Sequence, residues 1–147
     1  MALRLLIQQC ISARLKLPSY QELEIGRGVI VFICFFKDAN EEAVKKAYKL
    51  VSQIKLSEKE EGDKRGSVVE TAGEIMIIPQ ATLGGKLKGS SVQYHNNIPP
   101  EQGRVLYDIF CNELETLEGV TVRRGEYGAR QVLSMETNGP YSHCFDI

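Results

Sequence analysis

Val29-Ile30-Val31-Phe32-Ile33-Cys34-Phe35-Phe36 is an unbroken apolar run, rich in β-branched and aromatic residues. A strand that is apolar at every position has no face to offer water, so the run predicts a central strand covered on both sides. At eight residues it falls far short of the roughly 20 needed to cross a bilayer as a helix. Gly26 and Gly28 bracket a tight turn just before it.

Toward the N-terminus, Leu3 to Ile11 is expected to be a first strand, and Pro18 opens a polar stretch to Glu24 that fits a loop or an edge extension. Toward the C-terminus the period changes. From Asn40, Ala43, Val44, Ala47, Tyr48, Val51 and Ile54 recur at three- and four-residue steps, with Glu41 and Glu42 in the first turn, which predicts an amphipathic helix. Ser57 to Ser67 is dense in Glu, Lys, Asp and Gly and is expected to be an exposed loop. Glu74 to Ile78 is a short apolar strand that Pro79 ends. Pro99-Pro100 introduces a second helix, apolar at Leu106, Ile109, Phe110, Leu114 and Leu117 and stopped by Gly119. Strands are then expected at Val120–Arg123, Arg130–Glu136 and Tyr141–Asp146, the last two joined as a hairpin through Asn138-Gly139. The chain therefore predicts one α/β domain over residues 1–147, mixed sheet layers covered by two main helices.

Composition fits a folded chain, with 43% hydrophobic and 25% charged residues. The N-terminus carries Arg4 inside the apolar stretch Leu3 to Ile7 and lacks the order of a cleaved signal, so the cytoplasm is the default location. The net charge of −1 excludes a general polyanion binder. Any nucleic-acid contact is expected to be small and local, such as a strand end. Cys10, Cys34, Cys111 and Cys144 are far apart and form no C-x-x-C, and the only histidines are His95 and His143. The cysteines are expected to be reduced core residues, with no metal site and no cofactor.

The chain has no G-x-S-x-G elbow. Ser142 and His143 are neighbours on an expected strand, where adjacent side chains point to opposite faces, so they are a poor dyad. Gly84-Gly85-Lys86-Leu87-Lys88-Gly89-Ser90 departs from a phosphate loop because serine stands where the motif needs lysine. Lys86 and Lys88 remain candidates for a phosphate-backbone contact, beside the plain alternative of a flexible turn.

Two segments point further: Pro79-Gln80-Ala81-Thr82-Leu83, and Thr137-Asn138-Gly139-Pro140-Tyr141-Ser142-His143. They resemble the paired signatures of the D-aminoacyl-tRNA deacylase family, Ser-Gln-Phe-Thr-Leu and Asn-Gly-Pro-Val-Thr. The resemblance runs from Leu5 onward and takes in the Gly26-Arg27-Gly28 turn, Lys88-Gly89 and the Gly125/Gly128 turn. Lys16 to Glu24 matches poorly. Proline and alanine replace the family's serine and phenylalanine at Pro79 and Ala81, and Gln9 stands where usual members carry arginine. These departures are similar to the animal-specific branch.

The resemblance implies a homodimer in which Gly139-Pro140 of each subunit enters the partner's pocket. The implied substrate is the aminoacylated 3′ end of tRNA. Gln80, Ala81 and Thr82 would form the catalytic turn. Pro79, Leu83, Asn138, Gly139, Pro140 and Gln9 would surround the substrate. The implied chemistry uses positioning, backbone donors and the 2′-hydroxyl of the terminal adenosine, with no covalent nucleophile. The animal branch further implies a trans Gly139-Pro140 peptide and, with Ala81 widening the pocket, hydrolysis of L-alanyl-tRNA(Thr) besides D-aminoacyl or glycyl esters. The rival reading is a catalytically inactive dimer that binds tRNA ends or a protein partner.

Overall fold

The computed structural model describes residues 1–147. Its main sheet has five strands in the order β10-β1-β4-β5-β8: Ser142–Asp146, Leu3–Cys10, Gly28–Phe35, Glu74–Pro79 and Thr121–Arg124. β1 is antiparallel to both neighbours, whereas β4, β5 and β8 run parallel. Parallel neighbours need long crossovers, and the two helices supply them. α1 (Glu41–Gln53) lies between β4 and β5, and α3 (Pro100–Glu115) between β5 and β8.

The apolar run is the middle strand, as its composition predicts. Its odd residues, Val29, Val31, Ile33 and Phe35, join Leu5, Ile7, Ile75 and Ile77 in the larger core beneath the helices. Its even residue Ile30 joins Cys10, Met76 and Ile78 in a smaller core on the other face. That face is covered by a second sheet in the order β3-β2-β9: Glu22–Ile25, Ser12–Lys16 and Val132–Glu136. Alternation along one strand thus feeds two cores, giving three layers.

The helix expected from Asn40 begins there. The Asn40 side chain accepts the Ala43 N–H at 2.9 Å, meeting one of the donors a helix start leaves open. Ala43, Val44, Ala47 and Val51 are buried against the sheet, while Tyr48 and Ile54 are partly so. α3 has Pro100 in its first turn and buries Leu106, Tyr107, Phe110 and Leu114. It ends at Glu115 with Thr116 as its C-cap, and Gly119 (φ +74°) serves the turn that follows.

The stretch from Pro18 to Glu24, expected as a loop or an edge extension, leads into the edge strand β3, which forms a hairpin with β2 because Ala13, Leu15 and Ile25 alternate inward with Arg14, Lys16 and Glu24 outward. Three expectations need correction. Asn138-Gly139 does not close a β9–β10 hairpin: β9 pairs with β2 and β10 with β1, so the loop turns a corner between sheets. The charged loop is anchored, with Ser57, Glu58 and Ser67 buried and Ser67 capping the short α2 (Val68–Thr71). Cys10, Cys34 and Cys111 are buried free thiols as expected, but Cys144 is exposed because it lies on the edge strand β10.

Candidate active site

A cavity of about 520 Å³ opens at the carboxyl ends of β4 and β5, the edge where parallel sheets commonly bind ligands. Pro79, Gln80, Ala81 and Thr82 line one wall. β5 ends at Pro79, and the chain tightens into a 3-10 turn over Ala81–Gly84. The Gln80 N–H donates to the Ile33 carbonyl at 2.8 Å, tying the turn to β4. As the first residues of the turn, Ala81 and Thr82 have no acceptor within it, and no loop hydrogen bond uses their N–H groups.

Side chains fix the turn from behind. Asn97 Nδ2 donates to the Ala81 carbonyl at 2.9 Å, and the Cys34 thiol lies 3.6 Å from the same oxygen. Asn97 comes this close because residue 84 is glycine: a Cβ there would sit 2.0 Å from Asn97 Oδ1. Gln80 Nε2 donates to Thr82 Oγ1 at 2.5 Å, orienting the hydroxyl. Arg4 pairs with Asp146 at 2.7 Å and donates to the Leu83 carbonyl at 3.0 Å. Leu83 therefore supports the turn from outside the cavity.

The opposite wall comes from Tyr127, Gly128, Ala129 and Gln131. Tyr107, buried in α3, donates to the Gly125 carbonyl at 2.7 Å, while the Gly125 N–H donates to Ile77 at 2.7 Å. Gln131 brackets Glu126, accepting its N–H at 2.7 Å and donating to its carbonyl at 3.1 Å. No lysine, arginine, aspartate, glutamate or histidine lines the cavity. Its two weakly acidic groups stay protonated to higher pH than usual: desolvation pushes up the Cys34 thiol and the Tyr127 phenol.

The remaining candidates lie elsewhere. Gln9 pairs with Val29 at the start of β4, whereas Pro79 pairs with Ile33. Four residues of strand separate them, about 13 Å at strand rise. Asn138 shares Glu58 with Gln9 as a hydrogen-bond partner at that far end. Gly139 and Pro140 are exposed. The two motifs therefore do not meet within one chain. The Gly139-Pro140 peptide is cis, which corrects the trans expectation. An X-Pro amide has only a small intrinsic preference for trans, about 0.5–1 kcal/mol.

Lys86 and Lys88 are exposed on a hairpin of β6 (Lys86–Lys88) and β7 (Ser91–Gln93), so this stretch is ordered ladder and not a plain turn. Lys86 lines a second cavity of about 330 Å³ with Arg4, Lys37 and Gly85. Sequence reasoning missed Asn97, Tyr127 and Gln131. The nearest signal was Gly125/Gly128, which marked a turn without saying what it faces.

A family model described as D-Tyr-tRNA(Tyr) deacylase matches residues 6–146, and the chain belongs to this family of ester hydrolases. Within it, the similarity is to proteins named D-aminoacyl-tRNA deacylase 2. That of Gallus gallus is 46% identical, covering 98% of this chain and 95% of the relative. That of Homo sapiens is 42% identical, covering 98% and 94%. A solved structure described as a probable eukaryotic D-amino acid tRNA deacylase superposes with a TM-score of 0.87 at 29% identity, covering both chains fully. No helix is long and apolar enough to cross a membrane.

Proposed function

We propose that the chain hydrolyses the ester of mischarged aminoacyl-tRNA in the cytoplasm, acting on D-aminoacyl and glycyl esters and on L-alanyl-tRNA(Thr). The observation that carries the reading is the 3-10 turn at Ala81–Thr82, whose free amides border a cavity without ionised side chains. Amide donors aimed at a developing oxyanion stabilise the tetrahedral intermediate, and a dry wall strengthens them. Water attacks the ester carbonyl, the bond to the 3′ oxygen breaks, and free amino acid and a tRNA 3′-hydroxyl are released. The adjacent 2′-hydroxyl of the substrate assists the proton transfer. Thr82, held by Gln80, is a polar contact and not a nucleophile.

Alanine at position 81, where usual members of the family carry phenylalanine, supports acceptance of a small L side chain. Lys86 and Lys88, exposed cations on the β6–β7 hairpin, would contact the phosphate backbone of the acceptor end in this reading. The exposed Gly139-Pro140 segment lies away from the cavity at Pro79–Thr82, which supports a homodimer in which it completes the partner's pocket.

Hydrolysis of L-alanyl-tRNA(Thr), D-aminoacyl-tRNA and L-threonyl-tRNA(Thr) by the purified protein tests the reading. The first two should be lost and the cognate third spared, with Thr82→Ala slower by about tenfold, the worth of one hydrogen bond. Loss of the D-ester alone would remove L-alanyl-tRNA(Thr) from the substrate range. Binding of the tRNA end without any hydrolysis would instead support the inactive-dimer reading.

A further inference from the structure

Glu58 is 4% exposed, although it sits in a segment whose composition predicts a solvated loop. Its Oε1 accepts from Gln9 Nε2 and from Asn138 Nδ2 at 3.3 Å. No cation pairs with it: the ion pairs of the chain are Arg4–Asp146, Lys55–Glu70 and those of Arg124. A buried carboxylate facing two neutral amides is costly to keep, and packing gives no reason for it.

The geometry around it supplies one. Gln9 Oε1 and Asn138 Oδ1 are buried without partners, so the Glu58 oxygen is the one hydrogen-bonding contact of either side-chain amide. The same loop reaches the other side of the motif, where the Arg65 guanidinium lies 4.2 Å from the centre of the Tyr141 ring. That ring covers Gly139, where a Cβ would meet it at 2.4 Å. The Gln9 N–H donates to the Tyr141 carbonyl at 3.1 Å. Gly139-Pro140 is thus exposed at its tip and clamped at both ends. The clamp is itself braced, because Ser57 and Gly66 exchange backbone hydrogen bonds of 2.9 Å across the base of the loop.

We propose that Glu58 is a positioning residue for deacylation. Through Asn138 it sets the direction in which Gly139-Pro140 leaves the subunit, and hence how the segment meets substrate in the partner's pocket. The inference rests on the deacylase reading above. A segment misplaced by an ångström or so changes turnover and substrate discrimination more than it changes folding.

The purified protein would be compared as wild type, Glu58→Ala, Glu58→Gln, Asn138→Ala and the Glu58→Ala/Asn138→Ala double variant, with kcat and KM measured separately. Glu58→Ala should lower kcat by about ten- to a hundredfold with KM little changed. Glu58→Gln, which keeps an acceptor oxygen, should restore most of the rate. The double variant should be no slower than the slower single one, because both act on one contact. Additive losses overturn the proposal, and so does a Glu58→Gln rate as low as that of Glu58→Ala.

A second pair covers an alanine variant that fails to fold. Asn138→Asp sets two carboxylates face to face and should lose activity, and adding Glu58→Gln should recover it; no recovery overturns the proposal. The backbone amide resonance of Gly139 reads the same displacement without any ester. A wild-type protein that hydrolyses nothing would sink the deacylase reading alone. An unmoved Gly139 resonance in Glu58→Ala would sink the positioning role alone.

Discussion

Asn97 is the side chain on which the proposed oxyanion turn depends most directly. Its amide donates to the carbonyl of Ala81, so removing it frees a peptide of the turn that lines the cavity. Asn97→Ala should cost about 1 kcal/mol of stability yet lower kcat by about tenfold or more, since a loosened donor is lost where charge develops. Gly84→Ala attacks the same contact from the other side and should also lower kcat, as its Cβ would collide with Asn97 Oδ1. Unaltered kcat in both variants would remove the turn from the mechanism.

The titratable groups lining the cavity make a further prediction. The Cys34 and Tyr127 pKa values are raised by desolvation, so both groups keep their protons through neutral pH and beyond. Neither changes charge between pH 5 and 8. The rate profile over that range should follow the uncatalysed hydrolysis of the same ester, including any inflection from the substrate's own amine. A bell-shaped profile absent from the uncatalysed reaction would reveal an acid/base pair and contradict a positioning mechanism.

Among the elements, the β4–β5 pair carries the site, because Gln80 is hydrogen-bonded to β4 just beyond Pro79. The register begins at Gly28 opposite Glu74. A Cβ on residue 28 would lie 1.9 Å from the Glu74 carbonyl oxygen and 2.6 Å from its nitrogen, both backbone atoms that cannot swing aside. Gly28→Ala should therefore destabilise the fold by at least about 3 kcal/mol, seen as a lower midpoint in denaturant. The analogous change at Gly89, which has no atom within 4 Å of its Cβ position, should cost far less, with only its positive φ of 61° to resist it. The two glycines look alike in the sequence and differ in whether another backbone passes beside them.

For the whole molecule, the separation of the two motifs is the decisive fact. Pro79–Thr82 lines a cavity at one end of the central strands, and Asn138-Gly139-Pro140 projects from the other. In the proposed twofold dimer, a subunit carrying Thr82→Ala and one carrying Pro140→Ala would assemble one site with both lesions and one with neither. Mixing the two impaired parents should raise activity above that of either, toward one intact site per mixed dimer. If each pocket were complete within a chain, mixed dimers would merely average the parents, which is the outcome that would exclude a shared site.

The amino-acid sequence by itself determined the parts that depend on local periodicity. The unbroken apolar run became the central strand, the three- and four-residue spacing from Asn40 became α1, and Pro99-Pro100 opened α3. The two motif segments also identified the family, since identity of short backbone-shaping residues survives without knowledge of their surroundings. Tertiary structure decided what touches what across long separations. Asn138-Gly139 has the composition of a hairpin, but β1 and β2 take β10 and β9 as separate partners and draw the loop into a corner. Glu58 has the composition of a solvated turn, but Gln9 and Asn138 close over it. Asn97 has no local mark at all and becomes part of the site because Gly84 lets it approach. Periodicity is set by neighbours along the chain, whereas burial and hydrogen-bond partnership are set by whichever distant segments pack there.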